Sequence, residues 1–481
     1  MLNASCASAN EITTEKLKEL GVGKGPTLTQ GEWFLRPDVC RPEAARLRRE
    51  TAVTGEFTPL ELVDPAVARV VATISVRFVD TPAIIECSSK DGTVIVSGIA
   101  VDRLRSSEEP NRFLDRLLAN GARPCQDTIG VGIVGYGPFG GMGYTHGLAA
   151  TETPGLRFAA VCDSDPNRRV AAAADFPDAI GHPDLDSLEA DSDVDVVIVA
   201  TPPAVHASLA LRLLRAGKHV VVEKPMCLTV ADADLLLATA DEMGRTISVH
   251  QSRRWDGDYL ALRRAIDTGL LGEVFNMETF VGSFEHPCRW WHSDDVLSGG
   301  AVYDWGSHHI DWILQVMGAP PSEVRASSHK RVWKDVSNSD QIDVSMRWPD
   351  GREARFIQSD VAAIRKPKFY VQGTAGTAVA DYSPIVNDAL VAGRGHVPSP
   401  WHHGENALPV RLNRYEPGYG LVEMVLPPIA RVGWPFHRAL ADHLLLGEPV
   451  PVQAAQSRNV VKVLEAAHWS AANKGELVTH G

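Results

Sequence analysis

Three observations predict an α/β fold for this chain. Between about residues 125 and 250, short apolar runs alternate with helical patterns. A glycine-rich turn, "GYGPFG", closes the first of those runs. Beyond residue 250 the apolar runs follow one another with partial period-two alternation. Alternating strand and helix gives a parallel sheet covered on both faces, whereas consecutive strands favour an antiparallel one. The expected architecture is a doubly wound α/β domain, then an α/β domain with a large, mainly antiparallel open sheet. A small α+β domain precedes both.

Composition supports several domains. The chain has 481 residues, too many for one core, and 44% of them are hydrophobic. The expected division is 1–124, 125–250 and 251–481. The net charge is 47 − 60 = −13, with no basic stripe, which argues against nucleic acid or an anionic membrane surface as partner. No apolar run approaches the ~20 residues of a membrane span. The N-terminus, "MLNASCASANEITTEKLKELG", lacks a basic region followed by an apolar one, so no secretory signal is expected. Seven cysteines are scattered without a Cys-x-x-Cys pair, which suits free thiols in a reducing cytoplasm.

In residues 1–124, "VARVVATISVRFV" and "PAIIECSSKDGTVIVSGIAV" read as strands, the second broken by a turn at Lys-Asp-Gly. "NRFLDRLLANGARP" reads as a helix ended by glycine and proline. No chemical motif lies here. "IGVGIVGYG" is then an apolar strand ending in glycines, and "LRFAAVCD" a second strand ending at Asp163. "VDVVIVATPP", "KHVVVEKP" and "RTISVHQ" are further strands. "HASLALRLLRAG" and "TVADADLLLATADEMG", the latter capped by threonine, are helices between them. After residue 250, "GEVFNMETFVGSF", "EVRASSHKRVW", "DQIDVSMRW" and "GREARFIQSDVAA" are strands. Residues 391–420, rich in Gly, Pro and His, read as a long surface loop or arm, and "AQSRNVVKVLEAAHWSAANKG" as a closing helix.

Gly135, Gly137, Pro138, Phe139 and Gly140 match the G-x-G-x-x-G fingerprint of a Rossmann dinucleotide-binding domain. The context supports it: a strand before, a helix after, and an acidic residue about 20 positions on, at the end of the next strand. Gly135 permits the tight turn and Gly137 the approach of a pyrophosphate, which the helix N-terminus attracts. Gly143 competes with Gly140 for the third glycine position. Asp163 would accept hydrogen bonds from a ribose 2′-hydroxyl and repel a 2′-phosphate, so NAD is favoured over NADP. Arg168 and Arg169 could soften that preference, but the favoured reading puts them on a solvated helix face. Thr201, Pro202 and His206, with Glu223 and Lys224, fall at carboxyl ends of strands, the edge at which ligands bind in such sheets.

"GIVGYGPFG", "VATPPAVH", "VVVEKP" and "GGAVYDWGSHHID", in this order, resemble the glucose–fructose oxidoreductase / inositol dehydrogenase / MocA (Gfo/Idh/MocA) family over about residues 127–480. The N-terminal 124 residues lie outside the resemblance. It implies hydride transfer between a nicotinamide and a sugar, cyclitol or related carbonyl compound. It also implies a homodimer or homotetramer formed through the open sheet, and a catalytic lysine at Lys224. The family pattern Asp-x-x-x-His with a further aspartate falls on Asp304, His308 and Asp311.

The residues themselves support a proton-transfer pair. Asp304 and His308 are four apart and share one helix face. Histidine suits removal of a hydroxyl proton, and a neighbouring carboxylate can orient the ring. Gly299 and Gly300 would let this segment pass close to the cofactor. His309 projects about 100° away and reads as structural. Arg254 and Trp255, and Trp291 and His292 beside Arg289 and Trp290, are candidate substrate contacts. No metal is expected, because the adjacent histidines lack a ligand pattern. The leading expectation is a cytoplasmic NAD-dependent dehydrogenase of a sugar, cyclitol or related polyol. A glycoside-cleaving enzyme that oxidises transiently is an alternative, and a cofactor-bound sensor or assembly protein another.

Overall fold

A computed structural model gives the fold. It describes all residues except 1–2, 38–50, 65–66, 77–78, 90–91, 107, 121–127, 138–140, 288–290, 384–387, 392–394, 399–406, 430–432 and 480–481. The chain divides into two compact units. One comprises Met1–Ile129, Ala149–Arg157 and Val432–Pro449, the other Gly130–Leu148, Phe158–Arg431 and Val450–Gly481.

In the first unit the strands Asn3–Ser8, Gly92–Ser97, Val79–Ser89, Ala68–Val76, Leu28–Pro37 and Thr51–Phe57 lie side by side in that order. The first two run parallel and the others antiparallel. The helix Glu108–Asn120 places Phe113, Leu114 and Leu117 on one face. They join Ile74, Ile84 and Ile95 in one buried core. The expected α+β pattern is observed, and the sheet also recruits strands before residue 60 that lack a clean alternation in sequence.

The second unit holds two sheets. Its parallel sheet runs Ile180–His182, Leu156–Cys162, Ile129–Val134, Val196–Val199, His219–Val222, Ile247–Val249. The strand Val196–Val199 is buried throughout, as a strand covered on both faces must be. Strand order reverses between Ile129–Val134 and Val196–Val199, and a ligand crevice forms at such a switch point. The helices Pro166–Asp175 and Leu185–Glu189 and the short strand Ile180–His182 complete the segment. Asp165 and Asp184 cap those helices.

The other sheet has nine strands, in the order Gly420–Leu426, Val410–Glu416, Gly376–Ala380, Phe369–Gly373, Val274–Gly282, Glu353–Ser359, Gln341–Arg347, Glu323–His329, Val478–Thr479. It is antiparallel except where Val274–Gly282 pairs with Glu353–Ser359. The expected loop at 391–420 is corrected here. Its described part includes the strand Val410–Glu416, where Val410 and Leu412 are buried between exposed neighbours. The glycines, prolines and histidines before it mask that alternation. The closing helix, Ala454–Ala472, sends Val461 into the core of the parallel sheet and Val460, Val463 and Leu464 into the core of the nine-stranded sheet. One helix therefore ties together the two sheets that build the site.

Among the described residues no helix is long and apolar enough to cross a membrane. Cys6, Cys87, Cys162 and Cys227 are free.

Candidate active site

The glycine turn after Val134 has no room for a side chain at its first glycine. Gly135 has φ +89°, and a Cβ there would lie 2.9 Å from both the Ala200 carbonyl oxygen and Thr201 Cγ2. Gly137 has φ +76°. A Cβ on Gly143 would lie 2.3 Å from the Tyr136 carbonyl oxygen, so only glycine lets the helix Met142–Glu152 pack this closely on the turn. Pro138, Phe139 and Gly140 lie outside the described residues. Glycines at 135 and 137 ahead of the helix Met142–Glu152 fit a dinucleotide pyrophosphate.

Asp163 follows the strand Leu156–Cys162 directly. Its Oδ2 accepts from the Tyr136 amide at 3.0 Å and its Oδ1 from the Asp165 amide at 2.9 Å. The carboxylate is thereby fixed beside the glycine turn. Arg169 does not stand on a solvated face: its Nη1 donates to the Asp163 carbonyl at 2.5 Å. Arg168 pairs with Asp165 at 3.5 Å.

The next two strand ends are clamped together by His206. Its ring nitrogens lie 2.7 Å from the Thr201 carbonyl oxygen and 2.8 Å from that of Pro225. Burial holds this imidazole below its usual range despite the pull of both carbonyls. His206 is thus tied to the two loops, with both nitrogens occupied. Thr201 Oγ1 is buried without a partner. Glu223 Oε1 meets His146 Nε2 at 2.9 Å and His250 Nδ1 at 2.7 Å, while its Oε2 accepts from the Lys224 amide at 3.0 Å. Burial alone would raise this carboxyl, but the two imidazoles outweigh it and hold Glu223 well below its usual range. Sequence reasoning missed His146 and His250. Their only signal was a histidine in the first turns after the glycine loop and another just past the last strand.

The Lys224 ammonium donates to Asp304 Oδ1 at 2.6 Å and to the Asp304 carbonyl at 3.2 Å. Asp304 opens the helix Ala301–Met317. Burial would raise its carboxyl, but Lys224, His292 and Arg253 prevail and keep it below the usual range. The Asp304 carboxylate is therefore engaged by Lys224, and no hydrogen bond joins it to His308 among the described residues. His308 lies one turn on, 7% exposed, with its buried Nδ1 lacking a hydrogen-bond partner among the described residues. Burial, then Lys224 and Arg253, hold it well below its usual range, so the ring is neutral.

Gly299 and Gly300 provide close approach, but to the protein itself. A Cβ on Gly299 would lie 2.4 Å from Leu228 Cδ2, and one on Gly300 3.0 Å from His468 Nδ1. The Tyr303 hydroxyl donates to the Leu228 carbonyl at 2.7 Å. These contacts fix the helix start against the loop that carries Lys224.

The remaining candidates divide. Trp291 stacks on His292 with centroids 3.7 Å apart, and the buried His292 Nδ1 has no hydrogen-bond partner among the described residues. Burial holds the His292 ring below its usual range, with Asp304 raising it and Lys224 lowering it by their charges. Arg254 faces elsewhere. Its Nε and Nη2 grip Asp311 at 2.8 and 2.6 Å, and its Nη1 donates to Gln456 at 2.7 Å. Trp255 ends the same short turn, half-buried. His309 packs on Trp312 and Phe356 at 4.9 and 5.1 Å, inside the core. Arg289 and Trp290 lie outside the described residues.

Comparison with known proteins agrees with this arrangement. Residues 129–251 match the Gfo/Idh/MocA "oxidoreductase family, NAD-binding Rossmann fold", and residues 259–379 match the family's C-terminal domain. The chain is 29% identical over 352 residues to the scyllo-inositol 2-dehydrogenase (NADP(+)) IolW of Bacillus subtilis, covering 72% of this chain and 95% of that one. It is 28% identical over 279 residues to the inositol 2-dehydrogenase of Rhizobium meliloti, covering 57% and 82%. The solved structure of GenD2 from gentamicin A biosynthesis, in complex with NAD, superposes with TM-score 0.60 at 26% identity, covering 75% of this chain and 98% of that one. The matches leave the N-terminal region aside, and from residue 129 onward the chain belongs to the Gfo/Idh/MocA oxidoreductase family, with its NAD-binding Rossmann domain and its C-terminal sheet domain.

Proposed function

We propose that the protein is an NAD-dependent dehydrogenase that exchanges hydride with a secondary alcohol or ketone of a cyclitol, sugar or related polyol. The observation that carries this reading is the Lys224–Asp304 pair, 2.6 Å apart, with two imidazoles whose buried Nδ1 atoms have no partner among the described residues. NAD, when bound, supplies the hydride acceptor. Lys224 donates a hydrogen bond to the substrate oxygen and stabilises its growing negative charge. Asp304 keeps the Lys224 ammonium in place and ionised. His308, neutral and buried, accepts the hydroxyl proton. His292 contacts the same substrate face. Glu223, pinned by His146 and His250, fixes the backbone of Lys224.

The relative from Bacillus subtilis is named for NADP(+). NAD is favoured for this chain because Asp163 ends the second strand with its carboxylate fixed by two amides. The open nine-stranded sheet suits assembly into a homodimer or homotetramer, and free buried thiols suit the cytoplasm. The test is a screen of inositols and simple sugars for NADH formation, with titrations of NADH and NADPH. Turnover of a polyol with tighter NADH than NADPH binding supports the reading. Tighter NADPH binding overturns the cofactor assignment, and an inert screen overturns the polyol assignment.

A further inference from the structure

The strand Glu353–Ser359 ends at Asp360, a half-buried carboxyl that the reaction described above does not use. Its backbone is held on three sides. Its amide donates to the Asp340 carbonyl at 2.8 Å. Its own carbonyl accepts from the Trp333 indole at 3.0 Å and from the Glu285 amide at 3.2 Å. Its carboxyl is engaged by no cation in an ion pair among the described residues. The charge that acts on it most strongly is Asp304. A half-buried carboxyl with no cation paired to it keeps its oxygens free for a ligand's hydrogen bonds.

The surroundings are shaped for a ring. Trp333 meets His286 and Phe284 with centroids 4.9 and 6.0 Å apart, and Phe284 is 55% exposed. The loop that carries Trp333 is locked from beneath, because Asp340 accepts from the amides of Arg331, Val332 and Trp333. Asn338 Nδ2 donates to the His292 carbonyl at 2.6 Å, which joins this loop to the segment bearing His292. The wall therefore brings Asp360 and the Trp333 ring together on a loop that is tied to the segment bearing His292.

We infer that Asp360 is a specificity-determining residue, which hydrogen-bonds a ring hydroxyl of the substrate adjacent to the reacting carbon while Trp333 covers the ring. This rests on the polyol reading. Burial and neighbouring acids push the Asp360 carboxyl up to about 7, so it can serve a hydroxyl as either donor or acceptor.

The experiment measures kcat and KM with NAD for myo-inositol, scyllo-inositol and D-glucose, and for monodeoxy analogues of whichever is turned over. Wild type, Asp360→Ala and Asp360→Asn are compared, with NADH titration to show that each holds cofactor. Asp360→Ala is expected to raise KM by roughly 10- to 100-fold, the worth of one hydrogen bond to a charged group. Its kcat and NADH affinity should change little. Asp360→Asn should recover part of the loss, and it also serves if the alanine variant does not fold. Wild type should reject one deoxy analogue that Asp360→Ala no longer distinguishes. An unchanged KM and unchanged discrimination in both variants, with wild type active, would overturn this inference alone. An inactive wild type on the whole panel would overturn the polyol reading and this inference with it.

Discussion

Asp304 and Asp311 lie on one helix, yet their partners give them different work. Asp304 holds the Lys224 ammonium at 2.6 Å. Asparagine is nearly isosteric but cannot hold that ion pair, so Asp304→Asn should fold normally and lose turnover rather than NADH binding. Equal loss of both would place Asp304 in the cofactor site instead. Asp311 is sealed by the bidentate Arg254 fork, with side-chain exposures of 2% and 12%. Arg254→Ala would leave that carboxylate buried and uncompensated, at a cost of about 3–5 kcal/mol. Urea unfolding should show the loss, and a stable variant with a raised KM would return Arg254 to the substrate. The family pattern in the sequence picked out Asp304, His308, Asp311 and Lys224. It did not show that Asp304 turns to Lys224, because i,i+4 spacing marks a shared face and not which long side chain arrives from another loop. Asp360 was invisible for the same reason: its setting is made by segments near 285, 333 and 340.

At the scale of elements, the parallel sheet was the more legible part. Val196–Val199 and His219–Val222 are continuous valine-rich runs that only a strand covered on both faces explains. The strand Ile180–His182 was not legible, being three residues long and mostly exposed. The hairpin of Val410–Glu416 and Gly420–Leu426 was hidden by the composition before it. The glycine turn shows what sequence leaves open and geometry supplies. Gly143 was one of two candidates for the third glycine, and the 2.3 Å approach of a Cβ to the Tyr136 carbonyl gives it a packing role. Gly143→Ala should push the helix Met142–Glu152 off the turn and weaken NADH binding, while the circular dichroism of the nine-stranded domain persists. NADH binding at wild-type strength in Gly143→Ala would show that the helix does not need this contact.

Across the whole molecule, buried imidazoles set the response to pH. His146, His206, His308 and His309 are all held below their usual range, chiefly by burial. The unfolded chain takes up protons on these groups below about pH 6.5 and the folded chain does not. Their stability contribution is therefore fully present above that pH and is lost as pH falls. Each unit of descent costs about 1.4 kcal/mol per imidazole. Asp360, raised to about 7, and Asp311, raised by burial, act in the opposite sense, but they are two groups against five imidazoles, because burial lowers His292 as well. Thermal melts should therefore give a lower Tm at about pH 5.5 than at pH 7.5, and the reverse order would mean that these rings are charged in the folded state. The proposed activity joins a nicotinamide domain to a Lys224–Asp304–His308 site for hydride and proton transfer on a polyol. Its most direct test is polyol-dependent NADH formation by His308→Ala, measured beside NADH titration of the same sample. Turnover should fall roughly 10²–10⁴-fold with NADH affinity unchanged; full turnover in His308→Ala would contradict the account.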